Sequence, residues 1–548
     1  MRQVKTARCS MKLVSVEEMR AIEREADARG WTYADMMERA GLGLAEVVHS
    51  LFGYEDRLVA LGLVGPGNNG GDTLVALAEL ASVGWSIRAY LVRPRPSDDP
   101  LVHRVVEAGG LVAEAEGDTG FGQLEAWLAD STVVLDGVLG TGVRLPLQPE
   151  IAGVLLHVRE SSVCPPVVAV DCPSGVDCNS GEVADETIPA EVTVCMAAVK
   201  MGLLRFPAFT YCGEIQVVDI GLPEDLPTWN AIRREVVSED LVHEWLPERS
   251  VEGHKGTFGT VMVVAGSLNF SGAALLSAGG AANIGAGLVQ LAVPSVLHGA
   301  LAGANPNVTW VLLPHQMGVI NGEAADVVIR SLGRATSMLV GPGLGLEDCT
   351  GEFVRRLLEI RKVGQPRRSM GFVAVTQPNL EESSPRQFPP LVFDADGLKH
   401  LAKIPNWSKL LPAATVLTPH PGEMAILSGL QVQEIQSDRI AVAQRFAHDW
   451  GHVVVLKGAF TVIASPDGRV GVIPVASDAL AHGGTGDVLA GMIAGLLAQG
   501  MASYEAAAAA AWIHARAGLA AADHLGHTAS VQASDLIDAI PEVLSLVW

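Results

Sequence analysis

Short apolar runs rich in β-branched residues, each followed by a glycine- or aspartate-containing loop or a helical pattern, constrain this chain more than any other feature. In the first half they are Leu58 to Val64, Ser86 to Val92, Thr132 to Leu135, Val167 to Val170, Val192 to Val194 and Ile215 to Val218. In the second half they are Val261 to Val264, Leu288 to Val293, Met338 to Val340, Leu391 to Phe393, Thr415 to Leu417 and Val453 to Leu456. Strands separated by helices need crossover connections, which imply largely parallel sheets. Before the first run, Ser15 and Glu18 form a capping box, and Met19, Ile22 and Ala26 follow at helical spacing, so a helix opens near residue 16. The rhythm breaks at Gly221-Leu222-Pro223-Glu224-Asp225-Leu226-Pro227. The expectation is an α/β protein with two doubly wound, three-layer αβα domains, residues 1–225 and 246–548, joined by a linker at 226–245. No sequence repeat relates the halves. Residues 362–390, with Pro366, Arg367, Arg368, Glu381, Glu382, Pro385 and Pro389, read as a polar loop without assigned function.

The 548 residues are 49% hydrophobic and 18% charged, ample for two large cores and unlike a disordered chain. Acidic residues outnumber basic ones, 61 to 38, and the net charge of −23 disfavours nucleic acid or an anionic membrane as partner. Small-molecule substrates are expected instead, with no membrane association and a homo-oligomeric assembly. The seven cysteines, Cys9, Cys164, Cys172, Cys178, Cys195, Cys212 and Cys349, form neither a disulfide framework nor a paired zinc pattern, which suits a reducing cytoplasm. No apolar stretch of secretory type follows Arg2, Lys5 and Arg8. Ala506 to Gly526 is the most hydrophobic long stretch, but His514, Arg516, Asp523 and His524 interrupt it, so it reads as a buried core helix.

After the strand ending at Val64 comes Gly65-Pro66-Gly67-Asn68-Asn69-Gly70-Gly71-Asp72, a loop able to point backbone N–H groups at a ligand. The glycines alone fit a tight strand-to-helix turn equally well. The next strand, ending near Val92, offers Arg93 rather than a ribose-binding acid, which argues against a standard dinucleotide site. Two more loops begin at strand ends, Asp136-Gly137-Val138-Leu139-Gly140-Thr141-Gly142 and Asp171-Cys172-Pro173-Ser174-Gly175. Open parallel sheets bind ligands at that edge, so three converging polar loops favour a site over chance turns. Asn69, Asp136 and Ser174 offer hard oxygens suited to an alkali or alkaline-earth cation, whereas Cys172 lacks the companions of a zinc site.

Residues Met11 to Pro223 resemble the epimerase domain that acts on hydrated NAD(P)H, the YjeF N-terminal domain. The likeness is carried by Met36-Met37-Glu38-Arg39-Ala40-Gly41, Asn68-Asn69-Gly70-Gly71-Asp72, Asp136 with Gly140-Thr141-Gly142, and Asp171-Cys172-Pro173-Ser174-Gly175. It implies a Rossmann-like fold in which Asn68, Asn69, Gly70, Gly71 and Asp72, the loop Gly140, Thr141, Gly142, Val143, Arg144, Leu145 and Pro146, and Asp171 contact the hydrated nucleotide. It also implies potassium held by Asn69, Asp136 and Ser174, and Asp171 as the acid–base group at C6. Thr73 departs from the family, which usually continues with glycine.

In the second half, Gly483-Gly484-Thr485-Gly486-Asp487 runs into the apolar helix Met492 to Leu497. Its N–H groups and helix dipole make an anion hole for a transferring phosphoryl group, and Asp487 is placed to take a proton from a hydroxyl. The bland alternative is a glycine-rich helix start with a stabilising first-turn acid. The Gly-Lys-Ser/Thr ending of a Walker A loop is absent. Lys457-Gly458-Ala459-Phe460-Thr461, Thr418-Pro419-His420-Pro421-Gly422-Glu423, Asp394-Ala395-Asp396 and Gly341-Pro342-Gly343-Leu344-Gly345 supply four more strand-end loops. Read alone, Lys457 is a strand-end charge and His420 a cap in a rigid turn.

This half resembles the ribokinase-like superfamily and, within it, the dehydratase that repairs hydrated NAD(P)H. His254-Lys255-Gly256-Thr257-Phe258-Gly259, Ser271-Gly272-Ala273-Ala274, Gly285-Ala286-Gly287-Leu288-Val289, His420-Pro421-Gly422-Glu423, Lys457-Gly458 and Gly484-Thr485-Gly486-Asp487 carry the match. The resemblance implies that Lys457, Gly458, Ala459, Phe460, Thr461 and Gly486 contact the adenine nucleotide, and that Asp487, His420, Gly345 and Ala274 line the hydrate pocket. Asp487 would be the catalytic base, Mg²⁺ would accompany the nucleotide, and ADP is favoured over ATP as donor. The implied function is bifunctional: R and S hydrates are interconverted, and the S form is dehydrated at the expense of ADP. The competing expectation is a vitamin or sugar kinase fused to a noncatalytic YjeF-like scaffold.

Overall fold

The computed structural model describes residues 11–359 and 388–548, so the tail Met1 to Ser10 and residues 362–387 of the polar stretch lie outside the described residues. The chain divides into two compact units, Met1–Val236 and Val237–Trp548.

The first unit is built on a sheet in the order Leu111–Glu114, Ser86–Leu91, Val59–Val64, Val133–Gly137, Val167–Val170, Val192–Met196, Glu214–Val218. Every neighbouring pair is parallel. The chain leaves the inner strand Val59–Val64 toward one edge and returns on its other side at Val133–Gly137. That reversal opens a crevice beyond the strands' carboxyl ends. Side chains alternate between faces: Ala60 and Val64 join Ile22, Leu44 and Leu74 in one core, while Leu61 and Leu63 join Leu124, Trp127 and Ile151 in another. Helices on both faces therefore explain why the strands read as unbroken apolar runs.

The second unit repeats this logic. Its sheet runs Val470–Val472, Val462–Ala464, Val453–Leu456, Val416–Leu417, Leu391–Phe393, Ser337–Val340, Thr260–Val264, Leu288–Pro294, Thr309–Leu313. The long central part is parallel, and Val462–Ala464 and Val470–Val472 add an antiparallel meander. Val261 and Val263 face the helices Ser271–Asn283, Thr485–Ala498 and Ser503–Leu525, while Met262 and Val264 face Ala324–Ser331 and Asp348–Glu359. The alanine-rich segment is that buried helix Ser503–Leu525. No described helix is long and apolar enough to cross a membrane.

Four strands of these sheets escape the apolar-run reading: Leu111–Glu114 and Thr309–Leu313, which are partly exposed at sheet edges, and Val462–Ala464 and Val470–Val472, which are only three residues long. The Asn-Asn-Gly-Gly-Asp segment also differs from the expected loop. The helix Asn68–Ser82 begins at its first residue, capped at Gly67, so Asn68 to Gly71 form its first turn and Asp72 opens the second.

Candidate functional site

In the first unit a cavity of about 400 Å³ opens at the crevice, lined among others by Asn68, Asn69, Asp72, Gly140, Asp171 and Glu23. Thr141 and Gly142 reach it as well, whereas Val143 to Pro146 are not among its lining residues and Gly70 and Gly71 are buried in the helix turn. A Cβ at Gly140 would sit 2.2 Å from Asn69 Oδ1, so a larger residue there would displace the Asn69 amide. Asp171 follows the strand Val167–Val170 with φ +67°, a conformation costly for a non-glycine residue and often tied to function. Its Oδ1 accepts hydrogen bonds from the Met196 N–H, at 2.9 Å, and from Lys200 Nζ. Burial opposes a charge on Lys200, yet the Asp171 carboxylate holds its ammonium above the usual lysine range.

Asp136 is fully buried, and burial raises its carboxyl above the usual range against the Ser174 hydrogen bonds. The Ser174 N–H and Oγ both donate to it, at 2.8 and 2.6 Å. Asn69 Nδ2 donates to the Val170 and Leu139 carbonyls on the same edge. Among the described residues no cationic side chain pairs with Asp136. A buried acid surrounded by a hydroxyl, an amide and carbonyl oxygens fits a monovalent cation that would neutralise it.

In the second unit, Gly484 (φ +93°) caps the helix Thr485–Ala498, putting Asp487 in the first turn. Burial, then Asp394, pushes the Asp487 carboxyl up to about 7, while Lys457 works against the rise. Lys457 Nζ donates to Asp394 Oδ1 at 2.7 Å and lies 3.9 Å from Glu423 Oε2. A Cβ at Gly486 would be 3.4 Å from the same Nζ, so the lysine lies against the glycine turn. Thr418 Oγ1 also donates to Asp394 Oδ1. Gly341 lets two strand ends meet, since a Cβ there would stand 1.8 Å from the Asp394 carbonyl oxygen.

His420 is the cap of the helix Pro421–Ser428, its Nδ1 accepting from the Gly422 and Glu423 N–H groups. Burial lowers its pKa, which favours the neutral ring that accepts these bonds. Gly345 donates its N–H to Asp396 Oδ2, and its carbonyl lies 2.9 Å from His400 Nε2. Ala274 is fully buried in the core. Gly458 and Ala459 are exposed, Phe460 is buried at φ +53°, and Thr461 Oγ1 donates back to the Gly458 carbonyl.

Comparison with known proteins agrees on both halves. Residues 33–202 match the model of the YjeF-related protein N-terminus, and residues 261–542 match that of NAD(P)H-hydrate dehydratase. The bifunctional NAD(P)H-hydrate repair enzyme Nnr of Moorella thermoacetica is 34% identical over 542 residues, 97% of either chain. The chain belongs to the NAD(P)H-hydrate repair enzyme family. The repair enzyme of Escherichia coli is 32% identical over 96% of this chain and 93% of its own. A solved structure, the ADP/ATP-dependent NAD(P)H-hydrate dehydratase from Bacillus subtilis co-crystallised with ATP/Mg²⁺, is 30% identical over 57% of this chain and 98% of its own, with a TM-score of 0.46.

Four polar side chains of this repair-family chain carried no motif signal. Glu23, from the helix Val16–Ala28, lines the cavity, its carboxyl raised by burial and by Asp171 against Lys200. Lys200 pairs with Asp171 across 29 residues of sequence. Arg439 donates to the Leu456 carbonyl and stands 3.1 Å from where a Gly458 Cβ would be, without a carboxylate partner among the described residues. Burial lowers it to about 10, and its Nε has no hydrogen-bond partner. His514 is buried, pushed down to about 4 by burial, and its Nε2 donates to the Thr485 carbonyl at the turn that opens the helix Thr485–Ala498. Of these, only His514 had a readable cue, a histidine in the middle of an otherwise alanine-rich helix.

Proposed function

We propose that this chain is a bifunctional NAD(P)H-hydrate repair enzyme. Its first unit interconverts the R and S epimers at C6, and its second unit dehydrates the S epimer, consuming ADP and releasing AMP and phosphate. The observation that carries this reading is the match to bifunctional repair enzymes along essentially the whole chain, with both modules present in one polypeptide.

In the second unit Asp487 takes the proton of the C6 hydroxyl, whose oxygen attacks the β-phosphorus of ADP as AMP departs. A carboxyl pushed up to about 7 suits that task, being ionised in useful amount at neutral pH yet basic enough to accept the proton. The N–H groups opening the helix Thr485–Ala498 receive the charge of the transferring group. Phosphate then leaves with the C6–O bond electrons while C5 loses a proton, which restores the ring double bond. Lys457, held by Asp394, and the Gly458 to Thr461 turn bind the nucleotide phosphates.

Mg²⁺ would neutralise phosphate charge. Asp394, Asp396, Glu423 and Asp487 are the nearby carboxylates, but among the described residues no cluster of three metal-ligating side chains forms. That donor set fits an ion held chiefly by the nucleotide's phosphates with one or two protein carboxylates. In the first unit Asn69, Asp136 and Ser174 would hold potassium, and Asp171 acts at C6.

The test mixes both epimers of hydrated NADH with protein, Mg²⁺ and either ADP or ATP, and follows the return of NADH absorbance. Full recovery with one nucleotide is expected and names the donor. Recovery of only part of the mixture reduces the first unit to a scaffold, and no recovery with either nucleotide overturns the reading in favour of a small-molecule kinase.

A further inference from the structure

Asp72 and Asp171 line one cavity but are provided for very differently. Asp171 accepts hydrogen bonds from a lysine ammonium and a backbone N–H. Asp72, just past the first turn of the helix Asn68–Ser82, is buried at 6% exposure, and among the described residues nothing donates to its carboxyl. Two nearby carboxyls, one supplied with donors to its charged form and one without, divide a shared proton unequally. Burial, then Asp171 and Glu23, drives Asp72 well above the usual carboxyl range, with Lys200 opposing. The ionisable groups around it are Asp171 and Lys200 on the sheet side, Glu23 and Arg20 from the helix Val16–Ala28, and Tyr33 at the start of the next helix.

Resting on the epimerase reading of this unit, we propose that Asp72 gives a proton to the departing C6 hydroxyl and that Asp171 takes one from the water that adds back. In the first half-step the C6–O bond breaks, its oxygen leaves as water with the Asp72 proton, and the ring nitrogen lone pair forms a C6=N1 bond. In the second, water attacks the opposite face, the C6=N1 pair returns to nitrogen, and the released proton passes to Asp171. Asp72 ends ionised and Asp171 protonated, so exchanged roles serve the other epimer and transfer of one proton between them resets the site. A two-carboxyl division of this kind accounts for an acid buried without a partner beside an acid with two.

The test uses the full-length protein without nucleotide, which silences dehydration, and a single epimer of hydrated NADPH in heavy-oxygen water across the pH range. The wild type is expected to invert C6 with uptake of solvent oxygen, the rate falling on the alkaline side through a group above the ordinary carboxyl range. Asp72→Asn is expected to slow inversion by about 100-fold or more and to lose that alkaline limb. Calorimetry with the equilibrated epimer mixture should find its affinity within about threefold of wild type. An unchanged alkaline limb, a rate within about threefold of wild type, or affinity falling in step with rate overturns the inference while leaving the epimerase reading intact. A wild type lacking the limb or the solvent oxygen overturns it without any variant. A wild type that converts neither epimer sinks the epimerase reading itself, and the inference with it.

Discussion

The two units place carboxylates at the same architectural position, beyond the carboxyl ends of a parallel sheet, and then tune them by different means. In the first unit Lys200, itself buried, is committed to Asp171, while among the described residues nothing donates to Asp72. In the second, Lys457 is committed to Asp394, and Asp487 is left with a raised pKa of about 7 that the same lysine moderates from a distance. The lysine stabilises the acid proposed to react, directly in one unit and only through space in the other. The lesson is that the fold supplies the location, whereas the partner of a single buried cation decides which carboxyl keeps its proton.

The largest expected effects test whether the two acids act independently. Asp487→Asn should reduce dehydration by about 10²- to 10⁴-fold while ADP binding, read by calorimetry, persists and epimerisation continues. Asp171→Asn should do the converse: inversion at C6 falls by about 10²-fold or more and dehydration of pure S epimer is unchanged. Loss of both activities in either variant would break the comparison.

A smaller effect sharpens it. If Asp487 must be ionised, dehydration rises with pH through about 7, the value to which burial and Asp394 push it. Lys457 lowers that value, so Lys457→Met should move the rising limb to higher pH, besides weakening nucleotide binding. A limb that stays in place or moves to lower pH removes Lys457 from the tuning. The smallest effect concerns Arg439, whose guanidinium supports the Leu456 carbonyl behind the Lys457 turn. Arg439→Met should raise the KM for ADP by about fivefold, a loss of about 1 kcal/mol, with kcat little altered. A fall in kcat alone would place it elsewhere.

How much was legible beforehand differs by element. Buried strands such as Val167–Val170 and Val453–Leu456 are visible as continuous apolar runs because helices cover both faces. The edge strand Leu111–Glu114 is not, being short, partly exposed and ending in an acid, whereas Thr309–Leu313 is as apolar as the strands that were read. The helix start inside Asn68–Asp72 was also hidden, because its two glycines suit a loop as well as a first turn. His420 illustrates a double reading that geometry resolves locally: its ring caps the helix through Nδ1 and remains half exposed at the site edge.

By itself the sequence determined the alternation of strand and helix, the strand-end loops, and the acids that open them, because period and loop chemistry are local properties of the chain. Which acid meets which cation was decided only by tertiary structure. Lys200 reaches Asp171, and Lys457 reaches Asp394 from 63 residues away, because strand order brings those ends together. Glu23 enters the cavity from a helix whose only motif is its capping box. Local sequence carries no record of strand order, and the proton balance of a buried carboxyl depends on neighbours that only that order supplies.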